Sequence, residues 1–227
     1  MFLFLHGLIG SAAHFDAIGQ ALPKHQKWRA PPLPYPHVGL PDLTRDLANL
    51  IRTEADGPVV IVGNSIGCVL ALELAHLADH LVLTGPPFDH DTGKVPLRRD
   101  GLERFVRALF TPNLSPDVAD EHVAQAVACL DHLTGSRNML RETRRLRAIS
   151  QSFPDHPNLS TNDDKITCLT GALDFMAPER AFRTHMARVA PRAQLHFIPD
   201  CGHAVPVEAP RAVLDVLRPM CCAPDAA

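Results

Sequence analysis

The stretch Pro58-Val59-Val60-Ile61-Val62-Gly63-Asn64-Ser65-Ile66-Gly67-Cys68, followed by the apolar run Val69 to Ala75, decides the fold of this chain. Four β-branched residues in a row, Val59 to Val62, read as a strand buried on both faces. The run after Cys68 is rich in Ala and Leu and free of Gly and Pro, which predicts a helix. Only Gly63 to Gly67, a G-x-S-x-G pentapeptide, separates the two. A strand that becomes a helix so quickly must turn sharply, and the glycines remove the Cβ atoms that would collide there. Ser65 is thereby forced into a strained, exposed position beside a helix N-terminus, whose amides stabilise negative charge. The competing reading is a serine that only caps the helix.

Outward from this stretch, strand and helix alternate. Strands are expected at Phe2–Leu5, Trp28–Ala30, His80–Thr84, Ile166–Thr170 and Gln194–Ile198. Helices are expected from a Ser11 cap to Leu22, from Pro41 to about Asp56, over Ala177–Ala190 and over Val207–Leu217. Pro31 to Pro36 is too rich in proline for anything but an extended loop. Between about Phe88 and Ser160 the rhythm changes to three helices, Gly101–Phe110, Pro116–Leu133 and Ser136–Phe153, with no strand between them. The tail from Pro219 is expected to fray. The pattern predicts an α/β architecture: a mostly parallel sheet of six strands in the order 2-1-3-4-5-6, helices on both faces, and a helical cap inserted after the fourth strand. Residues 1–87 and 161–227 form the core of that scheme and 88–160 the cap.

A serine hydroxyl needs a base to take its proton, and the base needs an orienting acid. Asp174 follows the fifth expected strand within Thr170-Gly171-Ala172-Leu173-Asp174. His203 follows the sixth within Asp200-Cys201-Gly202-His203. Both loops emerge at the same carboxyl edge of the sheet as Ser65. Asp200 is the rival acid, but it shares a loop with His203 and would have to fold back. The loop after the first strand, His6-Gly7-Leu8, should present the backbone N–H of Leu8, which with that of Ile66 makes an oxyanion hole. His6 itself reads as a residue that fixes its loop.

Leu5-His6-Gly7, Gly63 to Gly67, Gly171 to Asp174 and Gly202-His203 together resemble the α/β-hydrolase superfamily, over almost the whole chain. The resemblance implies Ser65 as nucleophile, His203 as general base and acid, and Asp174 as its orienter, under a helical cap. It departs from the usual family pattern in opening on the His-Gly strand, without two leading strands. Another departure is Pro32 to His37 in place of an Asp-x-x-Gly-x-Gly loop.

The chain's 227 residues suit one sizeable core. A net charge of −3 gives no reason to expect nucleic acid or an anionic membrane as partner. No segment approaches the length of a membrane span, and the apolar start, broken at His6-Gly7 and without a basic lead, reads as structure and not as a targeting signal. None of the six cysteines lies in a C-x-x-C pair, so reduced thiols in a cytoplasmic setting are expected. Nothing calls for a cofactor or a metal. The expected reaction is hydrolysis of a small carboxylic ester or thioester through an acyl-enzyme on Ser65. Alternatives are carbon–carbon bond cleavage or elimination, since the Gly63-Asn64-Ser65 elbow resembles that of meta-cleavage-product hydrolases and the short chain resembles the menaquinone-pathway synthase, and a ligand-binding pseudoenzyme. The small-molecule substrate would carry a carboxylate or phosphate if the arginines of the third cap helix (Arg137, Arg141, Arg144, Arg145 and Arg147) face the pocket, with Arg144 and Arg145 as the candidates for contact. A solvated helix face is the competing reading. Oligomeric state is not legible.

Overall fold

The computed structural model describes residues 1–8, 10–35, 38–88, 99–134 and 139–221. Its strands are β1 (Phe2–Leu5), β2 (Trp28–Arg29), β3 (Val60–Asn64), β4 (His80–Thr84), β5 (Ile166–Gly171) and β6 (Gln194–Ile198). They form one sheet, all pairs parallel, in the order β2-β1-β3-β4-β5-β6. The strand order and the helices on both faces are those expected from the sequence. Arg137, the start of the helix expected at Ser136, His37 and the tail beyond Cys221 lie outside the described residues.

The period of two along each strand divides the core into two halves. Phe2, Phe4, Val60, Val62, Val82 and Leu169 point to one face, where they meet Phe15, α1 (Asp16–Ala21) and α10 (Pro210–Leu217). Leu3, Leu5, Ile61, Leu81, Leu83 and Cys168 point to the other. There they pack against α2 (Leu40–Glu54), α3 (Ile66–Glu73) and α8 (Glu179–Val189). In α2, Leu43, Leu47, Ala48 and Ile51 are buried at helical spacing, leaving the charged face outside. Every residue of α3 from Ile66 to Leu72 is buried, because sheet, α2 and the segment after β4 enclose it.

That segment forms α4 (Arg99–Ala108), α5 (Pro116–Thr134) and α6 (Met139–Gln151), then a short α7 (Pro157–Thr161) that the sequence did not announce. Val106, Val123, Val127 and Leu146 join it to the core half that holds α3. Two expected helices are shorter than their sequence pattern. The one expected from Ser11 begins as a 3-10 turn, Ala12–Phe15, with no side-chain cap from Ser11, and becomes α1 only at Asp16. The last one is broken at Ala209, before Pro210, into α9 (Val205–Glu208) and α10. Proline supplies no N–H and disfavours a helical residue before it, which accounts for the break.

Phe15 is fully buried and stacked on Phe4 at 5.0 Å between ring centroids. Phe15→Ala is expected to cost about 3–5 kcal/mol, read as a lowered midpoint in chemical denaturation with an unchanged slope.

Candidate active site

The elbow has the geometry that its sequence demands. Ser65 sits between β3 and α3 with φ 53° and ψ −123°, a positive φ that side-chain-bearing residues rarely adopt. Its side chain makes no capping bond to the helix, against the reading of a simple N-cap. The turn is secured by main-chain bonds, Ser65 N–H to Thr84 O at 3.0 Å and Cys68 N–H to Ser65 O at 2.8 Å. A Cβ on Gly67 would lie 2.2 Å from Leu5 O, so only glycine lets α3 start against the end of β1. This contact brings the His6-Gly7-Leu8 loop to the elbow, where a Cβ on Gly7 would stand 3.0 Å from Ser65 Cβ.

His6 fixes that loop. Its Nε2 accepts from Leu33 N–H at 3.0 Å, which assigns the proton to Nδ1 and makes it the donor to Gly7 O at 2.8 Å. The Tyr35 hydroxyl donates to His6 O at 2.6 Å. Burial lowers the His6 pKa, in keeping with a neutral ring in this role. The proline-rich loop therefore anchors the loop that carries Leu8, through buried Leu33 and Tyr35.

At the far side of the edge, His203 Nδ1 lies 2.9 Å from Asp174 Oδ2, both side chains buried. The other carboxylate oxygen, Oδ1, accepts from Met176 N–H at 2.9 Å, which fixes the orientation of Asp174. Asp200 stands exposed at the turn after β6, so the acid brought to His203 is Asp174. Burial presses the His203 pKa down, but the Asp174 charge, its hydrogen bond and the Glu208 carboxylate outweigh it, and the net shift is upward.

Asn64, precursor of the serine, is buried and faces inward. Its Nδ2 donates to Thr84 O at 3.0 Å, to Thr84 Oγ1 at 3.2 Å and to His203 O at 3.3 Å. It ties the elbow to the histidine loop through the end of β4. Sequence reasoning saw only a family likeness in this residue, since the partners lie 20 and 139 positions away. Glu208 also escaped notice, because it lies four residues after the N-cap Ala204, one beyond the N3 place of a capping box. A third residue, His14, faces His122 of α5 edge-on at 4.6 Å. Burial, with the neighbouring imidazoles of His122 and His6, pushes its pKa down to about 3, so it stays neutral at ordinary pH.

Arg144 is exposed, and the Arg145 guanidinium donates to Val38 O at 3.0 Å and to Tyr35 O. Arg145 thus holds the loop around Tyr35 against α6. Among the described residues, no three His, Cys, Asp or Glu are grouped to hold a metal ion, and no helix is long and apolar enough to cross a membrane.

In an NMR titration of the imidazole signals, His203 is expected to titrate above the ordinary 6.5, and Asp174→Asn should move it below, because burial then dominates. An unchanged titration would show that Asp174 does not act on this ring.

Several solved structures share this fold. MGS-M2, an alpha/beta hydrolase enzyme from a Medee basin deep-sea metagenome library, superposes with a TM-score of 0.70 at 18% identity, covering 99% of this chain and 90% of that one. The meta-cleavage product hydrolase CumD from Pseudomonas fluorescens IP01 gives 0.67 at 17%, covering 97% and 91%. A thermophilic esterase from Thermogutta terrifontis gives 0.67 at 18%, covering 96% and 88%. At such identities the likeness speaks for the fold alone. A sequence model of the alpha/beta hydrolase family matches residues 2–216, and this match over nearly the whole chain shows that the protein is a member of that family.

Proposed function

We propose that the protein is a serine hydrolase that cleaves a small carboxylic ester or thioester through an acyl-enzyme on Ser65. The observation that carries this reading is the buried 2.9 Å contact of His203 Nδ1 with Asp174 at the edge where Ser65 occupies its strained turn. With Asp174 ionised, Nδ1 keeps its proton and Nε2 is left as the base. The Ser65 hydroxyl gives its proton to Nε2 while Oγ attacks the substrate carbonyl carbon. Charge developing on the carbonyl oxygen is met by the N–H groups of Leu8 and Ile66, at the N-terminus of α3. Collapse of the tetrahedral intermediate expels the alcohol or thiol, which takes the proton from His203. A water molecule then repeats the sequence on the acyl-enzyme, releases the acid and restores Ser65.

The helices between β4 and β5 act in this reading as a cap, residues 88–160 inserted into a core of 1–87 and 161–227. Arg145, engaged with Tyr35 O and Val38 O, is assigned to holding the loop under that cap and not to the substrate. Asn64 loses its bearing on substrate choice, because it is turned toward Thr84 and His203 O. The free thiols of Cys68, Cys168 and Cys201 support a reducing, cytoplasmic setting.

The test is intact-mass spectrometry after exposure to a fluorophosphonate probe, with Ser65→Ala as control. One adduct, absent from the variant, is the expected result, and ester turnover by Ser65→Ala should fall by at least ~10³. No adduct on the unaltered protein would sink the hydrolase reading and favour a ligand-binding pseudoenzyme.

A further inference from the structure

The mechanism proposed above uses Asp174 and leaves a second carboxylate beside His203 unexplained. Glu208, the last residue of α9, accepts three main-chain bonds. Its Oε2 takes Gly202 N–H at 2.9 Å and Thr111 N–H at 2.7 Å, and its Oε1 takes Ala204 N–H at 2.9 Å. Gly202 and Ala204 flank His203. Thr111 belongs to the turn between α4 and α5, 97 positions from Glu208. The same turn makes a further bond, since His203 N–H donates to Leu109 O at 2.7 Å. Three consecutive amides of the histidine loop are thus held, two by one carboxylate and one by the helical insertion that the carboxylate also grips. Such charge-assisted bonds are stronger than those between neutral groups.

We infer that Glu208 is a positioning residue that bolts the histidine loop to the α4–α5 turn, so that the placement of the insertion and of His203 Nε2 is set by one carboxylate. Two features separate this role from ordinary helix capping. A cap would need only the amides next to α9, whereas Thr111 lies in a distant element. The carboxylate also bears on the imidazole electrically: the groups facing His203 are Asp174 from the loop after β5 and Glu208 from α9, and the charges of both favour the protonated ring. The nearby Cys201 thiol, buried and pushed well up, stays neutral. Among these groups, Glu208 alone touches both the insertion and the histidine loop.

The inference rests on the proposed role of His203 for its catalytic consequence, but its structural part stands apart from that role. The experiment compares Glu208→Gln and Glu208→Ala with the unaltered protein by three readouts: amide hydrogen exchange, NMR titration of His203, and the rate of fluorophosphonate labelling against pH. In Glu208→Ala, the amides of Gly202, Ala204 and Thr111 should lose protection together while Val82, in central β4, keeps its own. Glu208→Gln keeps an acceptor for two of the amides but sets an N–H donor against the third. It should therefore expose Ala204 most and lower the His203 pKa by removing the charge. Labelling should slow by about 10²-fold in Glu208→Ala, as misplacement of a reacting group by about 1 Å does, and less in Glu208→Gln. Its acidic limb should shift to lower pH in both. Folded variants with the same His203 titration and the same Thr111 protection as the unaltered protein would overturn the inference. If Glu208→Ala does not fold, Glu208→Gln decides by the His203 titration and the protection of Ala204, and both unchanged would overturn the inference. If the unaltered protein takes no probe, the hydrolase reading fails, and exchange and titration still judge Glu208.

Discussion

The turn at Ser65 is the constraint on which the remaining structure depends. A residue with a side chain held at φ 53° costs on the order of 1–3 kcal/mol, and the chain must recover that elsewhere. It does so immediately downstream. Ile66, Val69, Leu70 and Leu72 of α3 are buried to 1% exposure or less, and burying each such side chain is worth about 1.5–3 kcal/mol. Several of these outweigh one strained residue, provided α3 is pressed into the core. That in turn requires Gly67 against Leu5 O, and hence β1 beside β3. The geometry of the Ser65 turn and core packing are therefore the same requirement, met by the same few residues.

A parallel sheet brings the loops that follow its strands to one edge, which is how residues distant in sequence converge there. Convergence alone leaves their spacing loose. The finer placement comes from hydrogen bonds to main-chain carbonyls: Ser65 N–H to Thr84 O, Asn64 Nδ2 to Thr84 O and His203 O, His203 N–H to Leu109 O. Asn64 and Glu208 are both polar side chains removed wholly or partly from water, a costly arrangement unless their hydrogen-bonding groups are matched. Each is matched by backbone groups of a loop that must not drift. Polar burial here stabilises position, where apolar burial in the two halves of the core stabilises the fold.

The loop from Pro31 shows the same division of labour on the opposite side. Proline restricts the chain but provides no N–H for a ladder, so the segment is held by side chains reaching its carbonyls and its few amides. Arg145 takes Tyr35 O and Val38 O, His6 takes Leu33 N–H, and Tyr35 returns to His6 O. An arginine whose donors are engaged by carbonyls is a fastening, whatever the charge of the helix that carries it.

The sequence by itself determined the order of strands, the elbow, and the meeting of Asp174 with His203. Those readings depend on local signals: β-branched runs, the glycines at 63 and 67 that frame a helix start, and loops that follow strands. Period and turn chemistry act over a few residues, so one chain suffices to read them. What it left open was which way Asn64, Arg145, Glu208 and His14 face. Each has a partner between 20 and 139 positions away, and helical spacing states which residues share a face without stating what that face meets. Boundaries at Ser11 and Ala209 shifted for a related reason, as the ends of helices yield to neighbouring packing and to proline. Tertiary structure decided these because a polar side chain takes whichever donor or acceptor the fold brings within about 3 Å, and no local pattern encodes that meeting.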